Sequence, residues 1–357
     1  MKRRILCILV VVFCLCGQVW AESAGLPEEL ERVAPEAAKL LDAKAESGFG
    51  LANGAAVLVD QALSDLQEYL FAGVRSLAAV IAGVVLLGIV ESVSPDGTVA
   101  RQTNLVGALC ITALSAGDIN ALIGLGRNTI GEVSALSKVL IPALAAATAA
   151  AGGVTSASIR QVATVFFSDI LLTVIDRLLL PILYIYVASA AANAILENGT
   201  LEGIVSLIRK GIGWALGALL AMFTAYLSIS GAIAGAVDAQ AARAAKTAVS
   251  TVVPVVGSIL AEAAETLLAS AGVLRAMIGA FGALAVLAIC LLPFLRLGMQ
   301  YLLYQGAVFI AQASGPKKLA KLLDMLSDAF ALVLAMTGAS ALLLIIALVS
   351  TLTVVAA

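Results

Sequence analysis

The chain has 357 residues, of which 62% are hydrophobic and only 12% charged, with a formal net charge of −2 and no histidine. A soluble domain is about 25% charged, and a mean hydropathy of +1.08 excludes that class in favour of an all-α, polytopic helical integral membrane protein. The missing histidine removes His-ligated zinc and haem and every Ser–His or Cys–His nucleophile pair. No basic stripe with interleaved aromatics points to nucleic acid.

Residues 1–21 read as a signal peptide. Lys2, Arg3 and Arg4 precede an apolar run at 5–16, and Val19-Trp20-Ala21 fits cleavage after Ala21. Neither Cys14 nor Cys16 follows the Gly or Ala that a lipoprotein site wants. Residues 22–69 hold ten acidic residues, Glu28, Glu29 and Glu31 among them, against three basic ones. They read as an acidic extracytoplasmic helical region, too short for a confident core of its own. Residues 70–357 read as a multi-span membrane domain.

The first span is expected at 70–90, followed by a turn at SVSPDG. An apolar run at 104–125 is interrupted by Gly117-Asp118. A polar interlude follows from Arg127 to Lys138, then an Ala-rich segment at 139–154 containing Pro142. Residues 159–196 are one long apolar stretch with Asp169, Thr173, Asp176 and Arg177 in its first half and Pro181 in the middle. Arg209-Lys210 reads as a basic loop before a span at 211–235. Another apolar stretch at 273–312 surrounds Pro293, GPKKLAKLLD is the most basic segment of the mature chain, and residues 330–357 form the last span. Cys110 and Cys290 lie in separate apolar spans and read as small hydrophobes.

A parallel internal repeat is expected, about 100–210 against 211–330. Pro142 and Pro181 are 39 residues apart, as are Pro254 and Pro293, with an offset of 112. Basic loops stay cytoplasmic, so Arg209-Lys210 and Lys317 to Lys321 lie inside, and both mature termini lie outside. The number of crossings is then even. It is ten if each proline-bearing stretch crosses three times, and six if each holds a re-entrant pair plus one span.

Two polar stripes stand out. Asp169, Thr173 and Asp176 lie at i, i+4 and i+7, and so do Ser258, Glu262 and Glu265. A carboxylate at membrane depth costs about 2.5–3.5 kcal/mol, so each stripe should face protein or water. One reading is a polar path between the two halves. The other is placement near the interface, or pairing with Arg177 or Arg275. Small-residue patterns such as Gly213-x3-Gly217 and Gly231-x3-Gly235 indicate helix packing only. Gly124-x-Gly126 lacks a nucleotide-binding context, so no ATP site and no cofactor is expected. Asp169 and Asp176 sit two turns apart, roughly 10 Å, too far for a protease dyad.

The stretch 230–275 carries Asp238, Arg243 and Lys246 on an Ala-rich helix, then Pro254 and Gly257, then Glu262 and Glu265. Asp238, Arg243 and Lys246 are candidates for partner docking, or the two cations for snorkelling to lipid headgroups. The segments DAQAARAAKTAV and VVPVVGSILAEAAETL resemble the signature region of the stage III sporulation protein AE family. The resemblance implies a non-enzymatic membrane core of a transenvelope channel or secretion-like complex, in the mother-cell membrane around the forespore. It implies as partners the ring-forming proteins AG and AH, a cytoplasmic ATPase and forespore protein Q, besides membrane lipid. It carries no catalytic residues. The competing reading is a stand-alone ion-coupled secondary transporter whose carboxylates are the coupling sites.

Overall fold

The computed structural model describes residues 69–71, 73–75, 77–90, 93, 97–195, 200–252, 257–314 and 317–353, without the side chains of residues 97–101, 103, 200, 245, 246, 248–252, 257–265, 314, 352 and 353. Residues 1–68, with Ala21 and the acidic region, and Pro254 lie outside that set. The described residues form six long helices: α1 (Tyr69–Val90), α2 (Gly97–Ala150), α3 (Val154–Ile195), α4 (Thr200–Val252), α5 (Gly257–Ser314) and α6 (Lys317–Thr353). Each is long and apolar enough to cross a membrane. About 20 residues suffice for that, whereas α2, α4 and α5 have 54, 53 and 58 residues. At 1.5 Å per residue, α5 runs about 87 Å, so it extends well beyond a ~30 Å apolar layer.

The helices are longer than the hydropathy pattern suggests because neither prolines nor charges end them. Pro142 lies inside α2 and Pro293 inside α5, so the proline-bearing stretches hold neither three crossings nor a re-entrant pair. Pro181 is absorbed by a π-turn at Ile175–Leu179 just before it, a wider turn that commonly accompanies a disrupted helical ladder. In a dry layer a broken helix strands polar backbone groups, so Pro is accommodated rather than used as a terminator. The polar interlude 127–138 is continuous α2, and Arg209-Lys210 sits within α4 rather than in a loop.

The break between α2 and α3 is a tight turn. Gly152 has φ +91, a left-handed conformation that glycine adopts without a Cβ penalty. Its N–H donates to the Ala149 carbonyl at 3.0 Å, and the Gly153 N–H to that of Thr148, also at 3.0 Å.

The expected duplication would match α2–α3 with α4–α5. The turn at 151–153 has its counterpart, 112 residues on, inside α5. The helix boundaries therefore do not repeat.

Successive helices alternate in direction. α6 is the hub, most extensively packed on α5 and then on α2. The inward face of α2 is Ile119, Ile123, Ile130, Val133 and Leu140, all buried, at the spacing of one helix face. Where small residues sit on that face the helices close up. A Cβ on Gly126 would stand 2.5 Å from Val333 Cγ1, and one on Gly282 2.5 Å from Leu140 Cδ2. These contacts fix the level of each helix. Residues 126–140 of α2 run alongside 333–348 of α6, inside the uncharged run 329–353 that follows Asp328. That run is 25 residues long, enough to cross the apolar layer once.

Candidate functional site

Polar groups gather in three places. The first is the end of the bundle where α6 begins. Arg209 of α4 pairs with Asp328 of α6, and Lys321 of α6 with Glu202 of α4. Asp328 is nearly buried, while Arg209 is half exposed. Tyr186 of α3 donates its hydroxyl to the Met325 carbonyl at 3.0 Å. Gln305 of α5 donates to Asp324 (3.2 Å) and Ser327 (3.0 Å). A little deeper, Asp118 of α2 accepts from Gln300 Nε2 at 3.2 Å and Tyr304 Oη at 3.4 Å, both on α5. These bonds tie α6 and α5 to three neighbours through groups that would be costly to leave unpaired in a dry layer. Residues 209, 210, 317, 318 and 321 thus lie at one end of the bundle.

The second place is the opposite end, where α2 turns into α3. Asp238 of α4 accepts the backbone N–H of Thr155 at 3.0 Å and that of Ser156 at 2.9 Å. It caps the start of α3 from a neighbouring helix, satisfying two of the four donors a helix start leaves open. Asp238 is therefore held inside the chain rather than offered for docking. Arg243 is exposed, one turn further along α4. Lys246 lies a turn beyond, its side chain outside the described set. Arg160 of α3 is 4% exposed and donates from Nη1 to Ser350 Oγ at 3.0 Å. Gly231 leaves room for it, since a Cβ there would be 2.8 Å from Arg160 Nη2.

The third place is the outer face of α2 and α3. Asp169, Thr173 and Asp176 do share one face of α3, and all three are exposed. They line the outside of the bundle and not a path between two halves of it. Asp176 is bonded to Arg127 of α2, with Nε to Oδ1 at 2.8 Å, and both side chains remain about half exposed. Asp169 does not share that bridge. Neither of the cations the sequence reading proposed, Arg177 or Arg275, bonds these acids among the described ion pairs: Arg177 is itself exposed, and Arg275 is buried on α5.

The depth of this face follows from its neighbours. A small space between α2, α3 and α6 is lined by Ile130, Ser134, Ser137, Ser168, Ser340 and Leu344. Glu132 of α2 and Asp169 therefore sit level with residues 340–344 of α6, the middle of its uncharged run. Both are exposed.

The second stripe falls elsewhere. Ser258, Glu262 and Glu265 occupy the first turns of α5, which opens at Gly257, ahead of the apolar segment Thr266–Ala313. Their side chains lie outside the described set.

Sequence reasoning missed Asp118, Gln300, Tyr304, Arg160 and the Arg209–Asp328 pair. Gln300 and Tyr304 lie at i, i+4 and could have been read as a polar stripe. The partners of Arg209 and Arg160 are 119 and 190 residues away, and no local spacing reports them. Among the described residues no three His, Cys, Asp or Glu side chains converge to hold a metal ion.

No solved structure matches the chain. It is 22% identical over 243 residues to stage III sporulation protein AE of Bacillus subtilis (strain 168), an alignment covering 68% of this chain and 61% of the relative. The chain thus aligns with about three fifths of that protein's length. The family model for stage III sporulation protein AE matches residues 49–356, nearly all of the membrane domain and the segment leading into it, and the chain belongs to that family.

Proposed function

We propose that the protein is the polytopic membrane core of a channel or secretion-like complex joining mother cell and forespore during endospore development. The observation that carries this reading is the outer face of α2 and α3. Asp169, Thr173 and Glu132 are exposed, and Glu132 and Asp169 sit level with the middle of the uncharged run of α6, which this reading takes as the apolar layer. Each lipid-facing carboxylate there costs about 2.5–3.5 kcal/mol, so the face borders water or protein. A helical bundle built only as an anchor has no use for such a face; a polar path between assembled subunits does. Membership of a sporulation family supplies the setting. The partners in this reading are the ring-forming proteins AG and AH, a cytoplasmic ATPase and forespore protein Q. No enzymatic step is part of it.

The basic end of the bundle faces the mother-cell cytoplasm in this reading, by the charge rule for short segments. Six crossings then put both mature termini outside. A stand-alone transporter remains the second reading, favoured by Asp118, a part-buried carboxylate held between two helices. D169L in a sporulating host separates them. Under the conduit reading, spore yield falls by orders of magnitude while the protein level holds, and D118N is mild. Normal spore yield from D169L overturns the conduit reading.

A further inference from the structure

Gly117, Gly124 and Gly131 of α2 are spaced by seven residues and point out of the bundle. A Cβ added at any of them would meet nothing within 4 Å. Gly126, by contrast, is needed for the approach of Val333. A glycine inside a helix costs roughly 0.5–1 kcal/mol relative to alanine. Three such costs on one face gain nothing within a single chain.

The same face carries a heptad. Ala121, Asn128 and Ala135 alternate with Gly117, Gly124, Gly131 and Lys138 at spacings of four and three. All but the half-buried Gly124 are exposed. If Asn128 is an a position, Gly131 is d, Arg127 is g and Glu132 is e. In a parallel pair of helices, a g residue meets the e residue five positions further along the partner, and a polar a residue fixes the register. Arg127 and Glu132 have opposite charges and that separation, and both are exposed. Copies inserted in one membrane with one orientation present α2 to each other in parallel. The seam is composed of small residues, which in a membrane lets two backbones pack closely without help from a hydrophobic effect.

We infer that α2 docks along Gly117 to Lys138 against α2 of a second copy of this chain, in parallel register, with Arg127 of each copy facing Glu132 of the other. The pairing covers Glu132 and Arg127, which run alongside the uncharged stretch of α6, where lipid contact would penalise a charge. Asn128 meets its own counterpart. Arg127 keeps Asp176 on its other side, so the guanidinium bridges both chains. This goes beyond the conduit reading and holds whether or not the assembly conducts.

The test uses the full chain alone in vesicles, with its five cysteines replaced by serine. Single cysteines are introduced as G124C and G131C on the seam, and as M222C on the exposed face of α4. Oxidation should give covalent dimers at the two seam positions, several-fold above M222C. R127E should abolish seam cross-linking, and E132R added to it should restore it. Loss of the Arg127–Asp176 bridge alone would not be rescued by E132R. Seam cross-linking no greater than M222C, or a charge reversal without rescue, overturns the inference. Neither outcome bears on spore yield, so it stands apart from a failure of the conduit reading.

Discussion

Gly126 and Gly124 are two residues apart on α2, and replacing each by alanine should act in opposite directions. At Gly126 the new Cβ would lie 2.5 Å from Val333 Cγ1 and 3.2 Å from Thr337 Oγ1. Val333 is buried on α6, and a β-branched side chain in a helix is nearly locked in one rotamer. It cannot swing aside, so the helices must part. Overpacking of this kind costs about 1–3 kcal/mol. The removal of glycine from a helix returns roughly 0.5–1 kcal/mol, leaving a net loss of up to about 2 kcal/mol. At Gly124 the Cβ meets nothing, so the single chain keeps the whole propensity gain. The assay is unfolding of the purified protein in detergent micelles dilute enough to isolate single copies. G126A should unfold earlier than the parent and G124A later, and V333A should relieve part of the G126A defect. A G126A protein more stable than the parent would refute the assigned packing of α2 on α6.

Three further outcomes follow from the polar contacts. D238A removes the acceptor for two backbone donors at the start of α3 and should lower stability by about 1–2 kcal/mol, with faster hydrogen exchange at Thr155 and Ser156 as the readout. R209A should be more damaging than D328N, because it strips the pair from a nearly buried carboxylate; protein level in membranes measures the difference, and equal levels would contradict it. A cysteine appended after Ala357 should react with an impermeant thiol reagent in intact cells, since the proposed topology, with six crossings from an extracytoplasmic N-terminus, ends outside.

Hydropathy left the number of crossings between six and ten, but the class was readable from it, because an apolar layer demands long apolar helices and little else. The helix lengths were not. Pro142, Pro293 and the charges from Arg127 to Lys138 look like terminators in water, where backbone groups freed by a break are solvated. In a packed membrane bundle they are carried through. The i, i+4, i+7 spacing of Asp169, Thr173 and Asp176 placed them on one face, and the structure keeps them there. Spacing alone could not say which side of α3 that face is, since the answer depends on where α2 and α6 pack. The 230–275 stretch was read for docking on the strength of its charge. Asp238 instead reaches across to the start of α3, a contact more than eighty residues distant in sequence. The Gly117–Gly124–Gly131 period was visible in the sequence. Its meaning needed the knowledge that those glycines face away from the bundle.

The central claim is that a face at the depth of the apolar layer borders water or protein rather than lipid. Water-soluble maleimide labelling of D169C and T173C, in membranes carrying the complete set of sporulation partners, measures it directly, with M222C as the lipid-facing comparison. Met222 is exposed and adjoins Phe223, whose ring lies 5.2 Å from that of Phe167, so the three positions sit at similar depth. The account predicts rapid labelling at 169 and 173 and none at 222. Protection of all three alike, in membranes where an exposed helix end labels readily, would contradict it.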